Sequence, residues 1–225
     1  MAEEFRACCA SDHVWQGTPA GQEGHIGGVH AYIAQPGSTT DKAIVVIPDV
    51  FGHEAKNTRL GDNWTADRDR AALGTWMAQF PKEGQLAILR DVISDLKTKH
   101  GIKHIGAIGF CWGGRFTVLL AGSGEIDAGV VVHGSRITLE EVEAIQKPIL
   151  FLFADNDRQI PAPFRKQIEE TLPKLKAPAA SKFYPGTEHG FGVRGDLNDQ
   201  VVLDAANDAF AQALQFFKSH LGADG

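Results

Sequence analysis

The sequence predicts an α/β fold, with a mostly parallel sheet and helices on both of its faces. Six short apolar runs resemble strands, and most are continuous rather than alternating, as in strands buried on both sides. Segments with helical periodicity stand between these runs, so strands and helices alternate. The chain has 225 residues, 43% of them hydrophobic and 22% charged, enough for one well-filled core. We therefore expect residues 1–225 to form a single domain.

Each expected strand is a short apolar run bounded by Gly, Pro or Asp, residues that commonly punctuate secondary structure. In chain order the runs cover residues 29–34, 43–47, 104–110, 127–133, 148–153 and 181–184. A parallel arrangement of such strands brings their carboxyl ends to one edge of the sheet, where open α/β sheets bind ligands. Side chains just after these runs are therefore the first candidates for a functional site.

Four helices are expected between and after the strands. In the first, apolar residues from Leu86 to Leu96 recur every three to four positions ahead of a glycine at 101. Thr138 and Glu141 have the spacing of a capping box, which predicts a short second helix. Residues 161–175 and 200–221 form the other two, and the last has apolar and polar residues on opposite faces.

The clearest motif is Gly-Phe-Cys-Trp-Gly-Gly at residues 109–114, between the strand at 104–110 and a helix-like segment. A sharp turn from strand to helix strains the backbone of its apex residue, and the flanking glycines Gly109 and Gly113 leave room for it. The apex, Cys111, is then expected to be exposed at a helix N-terminus, where the helix dipole favours a thiolate. This pattern predicts a nucleophile elbow with cysteine as the nucleophile.

Two later loops provide partners for such a thiol, which needs a base and a group that orients the base. Asp157 follows the strand at 148–153, and His189 follows the strand at 181–184. The chain order Cys111, Asp157, His189 is the nucleophile, acid, base order of α/β-hydrolases. A second carboxylate, Asp155, is expected to hold its loop as a turn residue. His133, at the end of another strand, either lines the pocket or has a hydrogen-bonded structural role, and we favour the second.

The motifs that contain Cys111, Asp157 and His189 resemble those of the dienelactone hydrolase family, the carboxymethylenebutenolidases. They read Gly-x-Cys-x-Gly-Gly at 109–114, Asp-x-x-x-Pro at 157–161 and Glu-His-Gly-Phe at 188–191. Ala-Cys-Cys at 7–9, Gly-Thr-Pro-x-Gly at 17–21 and Pro-Asp-Val-Phe-Gly at 48–52 are more similar to eukaryotic and fungal members. The resemblance implies an α/β-hydrolase fold with Cys111 as nucleophile, His189 as base and Asp157 as its orienter.

The same resemblance assigns supporting roles around the nucleophile. Asp49 stands where the family has a glutamate thought to hold the resting cysteine thiol, with a structural role in the loop as the alternative. The backbone N–H groups of Val50 and Trp112 are the expected oxyanion hole. Arg194 resembles the family's carboxylate-binding arginine, and a surface ion pair is the alternative.

The chain departs from the family pattern between residues 52 and 103, where no run resembles a strand. The sequence after residue 60 therefore looks shortened by one helix-strand unit. In the family's sheet the missing strand is internal, so its loss leaves unpaired backbone groups or forces a new pairing. Two interpretations follow: a functional variant whose sheet has closed the gap, or a poorly folded chain that has lost an exon-sized piece.

The resulting functional hypothesis is a cysteine-dependent hydrolase of a lactone, ester or similar activated acyl compound, with no metal or organic cofactor. The alternatives are a pathway-specific hydrolase of a natural-product lactone or anhydride, and a non-catalytic binding protein with a compromised site. The partner is a small molecule, because a net charge of −6 and the lack of a basic stripe argue against nucleic acid.

The remaining expectations concern location and assembly. The acidic N-terminus lacks the features of a secretory signal and no run reaches membrane-spanning length, so we expect a cytoplasmic protein, monomeric or homodimeric, without a membrane partner. Cys8 and Cys9 are adjacent, which disfavours a disulfide between them, and a plain N-terminal segment is favoured over a metal site.

Overall fold

The computed structural model describes residues 21–50 and 79–221 of the chain. These residues form strands and helices in the following order: β1 (Gln22–Ile26), β2 (Val29–Ile33), β3 (Lys42–Ile47), α1 (Lys82–Lys99), β4 (His104–Phe110), α2 (Trp112–Ser123), β5 (Ala128–Val132), α3 (Leu139–Glu143), β6 (Ile149–Asn156), α4 (Ala162–Thr171), a 3₁₀ turn (Leu172–Lys174), β7 (Ala179–Glu188), α5 (Phe191–Arg194) and α6 (Gln200–His220). The α/β class predicted from the sequence is confirmed.

Strands β3 to β7 form one parallel sheet in which neighbours in sequence are neighbours in space. Each connection between them therefore crosses over one face of the sheet, as parallel pairing requires. All six predicted strands are present, with β6 and β7 extending beyond their predicted ends. Among the described strands, β3 and β7 occupy the two edges of this sheet.

Alternate residues of the buried strands pack on opposite faces, and each face has its own apolar core. In β6, for example, Ile149, Phe151 and Phe153 belong to one core, while Leu150 and Leu152 belong to the other. Helices α1 to α4 cover the first core and α6 covers the second. The period-2 alternation of strand side chains explains this division, and the prediction of helices on both faces is confirmed.

Strand β1 was not predicted from the sequence. It pairs antiparallel with β2 in a separate hairpin, in which Ile26 lies opposite Val29. The two connecting residues, Gly27 and Gly28, both have positive φ angles of 59° and 79°. A two-residue loop with positive φ at both positions is typical of a type I′ turn, and Gly-Gly suits it. The Gly-Gly dipeptide at 27–28 was therefore the sequence signal for a hairpin at this position.

The predicted helices are all present, with shifts at their ends. The capping box of α3 has both of its hydrogen bonds: Glu141 N–H donates to Thr138 Oγ1 at 3.3 Å, and Thr138 N–H donates to Glu141 Oε2 at 3.2 Å. The helix predicted at 161–175 consists of α4 followed by the 3₁₀ turn, because Pro173 cannot continue the α-helical hydrogen bonding. Within the described residues no helix has the length and hydropathy needed to span a membrane.

The predicted loss of a helix-strand unit concerns residues that fall mostly outside the described part of the chain. Residues 51–78 are not described, and the described part of the interval, 79–103, contains α1 and no strand. The motifs at 7–9 and 17–21 and the thiols Cys8 and Cys9 also lie outside the described residues.

Candidate active site

Three side chains from three different strand ends meet at the carboxyl edge of the sheet. Cys111 directly follows β4, Asp157 directly follows β6 and His189 directly follows β7. The sheet brings together residues up to 78 positions apart in sequence, because parallel strands end at the same edge. The structure therefore places the predicted nucleophile, acid and base in contact.

Cys111 occupies a strained turn between β4 and α2. Its φ and ψ angles are 50° and −113°, a conformation that side-chain-bearing residues rarely adopt. Backbone hydrogen bonds to the next strand hold the turn: Cys111 N–H donates to Val132 O at 3.2 Å, and Ser135 N–H donates to Cys111 O at 2.9 Å. The predicted elbow geometry is therefore present, with the thiol at the N-terminus of a 12-residue helix.

Two glycines permit this turn through close backbone approach. A Cβ atom at Gly109 would lie 2.2 Å from the carbonyl oxygen of Gly113. A Cβ atom at Gly113 would lie 2.2 Å from Ile47 O and 2.6 Å from Pro48 O. Both clashes are with backbone, which cannot rotate away as a flexible side chain can. The glycines therefore let α2 begin directly against the end of β3.

We expect Gly113→Ala to lower the free energy of unfolding by about 3 kcal/mol, the upper end of the usual range for overpacking, because its methyl group meets two backbone carbonyls. The matched control is Gly122→Ala in the same helix, whose Cβ would make only ordinary contacts of 3.4 Å or more. That control is expected to be neutral or slightly stabilising, because alanine favours the helix. Urea denaturation measures both, and equal effects would refute the close-approach explanation.

The three side chains form a continuous hydrogen-bonded chain. His189 Nε2 lies 3.1 Å from Cys111 Sγ, and His189 Nδ1 lies 2.9 Å from Asp157 Oδ2 and 3.0 Å from Oδ1. Since a carboxylate only accepts hydrogen bonds, Nδ1 is the protonated nitrogen and Nε2 faces the thiol as an acceptor. The arrangement can move a proton from sulfur to the imidazole.

The electrostatics of the pair favour its ionised form. Burial by itself raises the pKa of the Cys111 thiol, but the hydrogen bond to His189 and the nearby charges of His189 and Arg194 outweigh it and bring that pKa below the usual value. Burial likewise lowers the pKa of His189, yet its hydrogen bonds to Asp157 and Cys111 raise that pKa to about 9. These opposite shifts favour transfer of the proton from the Cys111 thiol to His189.

The two carboxylates at the end of β6, Asp155 within the strand and Asp157 just after it, have different partners. Asp157 Oδ1 accepts from the backbone N–H of Gln159 at 2.8 Å and of Ile160 at 3.3 Å, which fixes the side chain toward His189. Asp155 Oδ2 instead accepts from Gly186 N–H at 3.1 Å, across to β7. Asp155 lies within β6, so the turn position predicted for it is wrong, and its carboxylate links two neighbouring strands instead.

Asp49 and Arg194 form a buried ion pair beside the triad. Arg194 Nε donates to Asp49 Oδ2 at 2.7 Å, and their side chains are 5% and 2% exposed. The surface ion pair considered for Arg194 is therefore wrong, because the single turn of α5 carries this arginine into the interior. The Cys111 thiol has hydrogen bonds with His189 and Ser135, and Asp49 bonds the guanidinium instead.

Removing one member of this buried pair has a large expected cost. We expect Arg194→Met to lower the free energy of unfolding by about 3–5 kcal/mol, because the Asp49 carboxylate loses its guanidinium partner. The double variant Asp49→Asn/Arg194→Met is expected to recover much of the loss. Lys166→Met is the matched control: its pair with Glu170 is exposed, and we expect a change below about 1 kcal/mol. Equal losses for Arg194→Met and Lys166→Met in urea denaturation would contradict the prediction.

The two residues of the expected oxyanion hole lie at the start of α2 and just after β3. Trp112 is the first residue of α2, and Val50 directly follows Asp49. The close approach of Gly113 to Ile47 and Pro48 brings these two backbone segments together. The role of their N–H groups as an oxyanion hole stays a prediction.

Residues just after β5 lie closer to the triad than the sequence predicted. His133 is fully buried and packs edge-on against His189, with ring centroids 5.1 Å apart, and neither of its ring nitrogens makes a hydrogen bond within the described residues. Because its side chain is fully buried, His133 packs behind the base of the triad rather than facing solvent. Burial and the charges of His189 and Arg194 hold the pKa of His133 well below its usual value. Ser135, whose Oγ lies 3.8 Å from Cys111 Sγ, was not anticipated at all.

The exposure expected of Cys111 is also wrong in degree. The residue is only 8% exposed and is a free thiol. Side chains from the neighbouring strand ends contact its sulfur, which the local Gly-x-Cys-x-Gly-Gly pattern does not encode. Among the described residues, no group of three or more His, Cys, Asp or Glu side chains is arranged to hold a metal ion.

Comparison with known proteins relates the whole chain to a family. Residues 62–221 match the model of the dienelactone hydrolase family. A carboxymethylenebutenolidase homolog from Xenopus tropicalis is 31% identical over 206 residues, which cover 82% of this chain and 83% of the relative. The hydrolase tropI of Talaromyces stipitatus is 28% identical over 245 residues, covering 96% of each chain. That alignment is longer than this chain, so part of the relative has no counterpart here.

A solved structure has the same fold. The dienelactone hydrolase from Anabaena variabilis superposes with a TM-score of 0.61 at 15% sequence identity, covering 91% of this chain and all of the other. This likeness concerns the fold, and it agrees with the α/β-hydrolase arrangement predicted from the motifs.

Proposed function

The chain belongs to the dienelactone hydrolase family and is a hydrolase of lactone or ester bonds, and we propose that it works through a Cys111 thiolate and a thioester intermediate. The observation that carries the proposal is the hydrogen-bonded chain from Cys111 through His189 to Asp157. Its geometry and the pKa directions of the first two groups support a preformed ion pair.

In the first step the Cys111 sulfur attacks the carbonyl carbon of the substrate. The thiol proton resides on His189 Nε2, and the second nitrogen stays hydrogen-bonded to Asp157, which stabilises the imidazolium. The carbonyl π electrons move to oxygen, and the backbone N–H groups of Val50 and Trp112 stabilise the negative charge that develops there. When the oxyanion collapses, the C–O bond breaks and His189 gives its proton to the leaving alkoxide.

The second step hydrolyses the thioester. His189, now neutral at Nε2, removes a proton from an incoming water as the water oxygen attacks the acyl carbon. Collapse of the second oxyanion releases the carboxylic acid and returns the electron pair to sulfur, and the imidazolium that forms next to the thiolate restores the resting pair. A lactone leaves as one hydroxy acid, since its acyl group and its alkoxide are parts of the same ring.

We assign to Arg194, which is paired with Asp49, the binding of an anionic part of the substrate. The Arg194 charge acts on the Cys111 sulfur, so the guanidinium lies near the reacting atoms. A substrate carboxylate can share the Arg194 guanidinium with Asp49 or displace the Asp49 carboxylate from it. The substrate carboxylate and that of Asp49 are both oxygen acceptors that suit the same guanidinium donors. The proposed substrates are accordingly small lactones or esters, with a preference for those that contain a carboxylate.

A panel of small lactones and aryl esters, neutral and carboxylate-bearing, tests this function with product detection by mass spectrometry. We expect stoichiometric conversion of at least one class of substrate to the free acid. Absence of hydrolysis across the panel, together with slow alkylation of Cys111 by iodoacetamide near neutral pH, would favour the non-catalytic binding protein instead.

A pathway-specific natural-product hydrolase is compatible with the same site, because the triad acts on the acyl carbon and not on the rest of the substrate. The panel separates this case from general esterase activity: rapid alkylation of Cys111 without turnover of simple lactones and esters indicates a functional nucleophile with a narrow substrate requirement.

A further inference from the structure

The segment after β5 approaches the nucleophile more closely than any motif in the sequence suggests. Three non-glycine residues in the described part of the chain have positive φ angles: Cys111 at 50°, His133 at 37° and Arg136 at 57°. The last two bracket Gly134 and Ser135, and Ser135 N–H donates to Cys111 O at 2.9 Å. Such conformations are unfavourable for residues with a side chain and persist where surrounding contacts enforce them. The backbone that contains Ser135 is therefore held directly against the turn that contains Cys111.

Ser135 points at the nucleophile. Its Oγ lies 3.8 Å from Cys111 Sγ, within hydrogen-bond reach for sulfur, and the residue is 4% exposed. A buried hydroxyl is costly unless it makes a hydrogen bond, and the hydrogen bond that the structure gives this one is to the thiol. A hydroxyl can serve as acceptor for a thiol and as donor to a thiolate by rotating its O–H bond.

We propose that Ser135 is a further catalytic residue, whose hydroxyl donates a hydrogen bond to Cys111 Sγ once the thiol proton has moved to His189 Nε2. The proposal rests on the proposed function of Cys111 as nucleophile. It fills a place that the family resemblance assigned to Asp49, whose carboxylate instead accepts from Arg194. The hydroxyl stabilises the resting thiolate and keeps the sulfur in place between attack and release of the acyl group.

Charged and titratable groups around the sulfur come from several elements, and Ser135 adds the uncharged donor among them. His189, after β7, and Arg194, in α5, supply positive charge. Asp157, after β6, stabilises the charge on His189. Asp49 after β3 bonds the arginine, and His133 at the end of β5 stays neutral, since burial and the neighbouring positive charges lower its pKa. Removing the Ser135 hydroxyl therefore takes a donor from the thiolate without changing the charge of the site.

The test is the pH profile of Cys111 alkylation by iodoacetamide, followed by mass spectrometry of the Cys111 peptide so that Cys8 and Cys9 do not interfere. In Ser135→Ala and Ser135→Gly we expect the acidic limb to move up by about 0.5–1 pH unit, the range for a weakened hydrogen bond to a charged group. Below that limb the alkylation rate then falls about 3- to 10-fold. Ser135→Thr, which keeps the hydroxyl, is expected to retain the wild-type profile.

The matched control is Thr171→Val, which removes a similarly buried hydroxyl in α4 that donates to Gln167 O, and its profile is expected to equal that of the wild type. An unchanged profile in Ser135→Ala or Ser135→Gly would overturn the proposal, as would equal shifts in all three Ser135 variants, which indicate packing alone. A wild-type acidic limb near that of a free thiol, about pH 8.5, would instead count against the proposed function of Cys111.

Discussion

Cys111→Ala is expected to lower kcat/KM for the best substrate by about 10⁴-fold or more, since no other step of the proposed mechanism can form the acyl intermediate without the sulfur. Binding and the oxyanion donors survive in this variant, so a small residual rate above that in water is expected. Steady-state kinetics with a chromogenic aryl ester measures the loss. Full esterase activity in Cys111→Ala would overturn the assignment.

The control for Cys111→Ala is Cys111→Ser, which keeps a nucleophilic atom at the same strained position. Serine has a much higher pKa than cysteine, so His189 cannot hold it ionised, and we expect a large loss here as well. Both variants should melt at temperatures similar to the wild type, because the elbow is held by backbone hydrogen bonds that neither substitution removes. If one variant loses its cooperative melting transition, its kinetics say nothing about Cys111, and the test then rests on the other variant.

Asp157→Asn is expected to lower kcat/KM by about 10³- to 10⁴-fold, because the neutral amide neither stabilises the imidazolium nor fixes the correct tautomer. The pKa of His189 is expected to fall from about 9 toward its usual value, since the hydrogen bond to Asp157 raises it. The basic limb of the kcat/KM profile should therefore move to lower pH. An asparagine oxygen can still accept from Gln159 N–H, so the loop is retained.

The matched control is Asp155→Asn, two residues earlier and within β6. Its carboxylate accepts from Gly186 N–H and makes no hydrogen bond to His189, so we expect activity within a few-fold of the wild type and an unchanged basic limb. Equal losses of activity in the two variants would show that activity depends on either carboxylate at this end of β6. That result would contradict a specific role for the Asp157 charge.

Much of this architecture follows from local sequence. The continuous apolar runs predicted the buried parallel strands, because a strand covered on both faces has no polar face to alternate with. The capping-box residues Thr138 and Glu141 predicted the start of α3 for an equally local reason, since both hydrogen bonds lie within one turn. Gly109 and Gly113 predicted the strained apex at Cys111 because the close approach excludes any Cβ atom.

The parts that were missed depend on contacts between distant segments. Nothing near Ser135 in the sequence indicates that its hydroxyl lies beside a thiol 24 positions away. The positive φ angles of the two residues that flank this segment are equally unmarked in the sequence. The burial of Arg194 depends on its pairing with Asp49, which is 145 positions away. Exposure of Cys111 was overestimated for the same reason, since the groups that cover its sulfur come from other strand ends. Tertiary contacts of this kind have no local pattern.

The central claim is that Cys111 forms the acyl intermediate. Acid quenching during turnover of p-nitrophenyl acetate, followed by mass spectrometry of the Cys111 peptide, tests it most directly. The proposed mechanism predicts a Cys111 peptide heavier by one acetyl group, with hydroxylamine removing that mass and Cys111→Ala never acquiring it. Turnover with the Cys111 peptide unmodified at every quench time, or with the acetyl group on another residue, would contradict the claim.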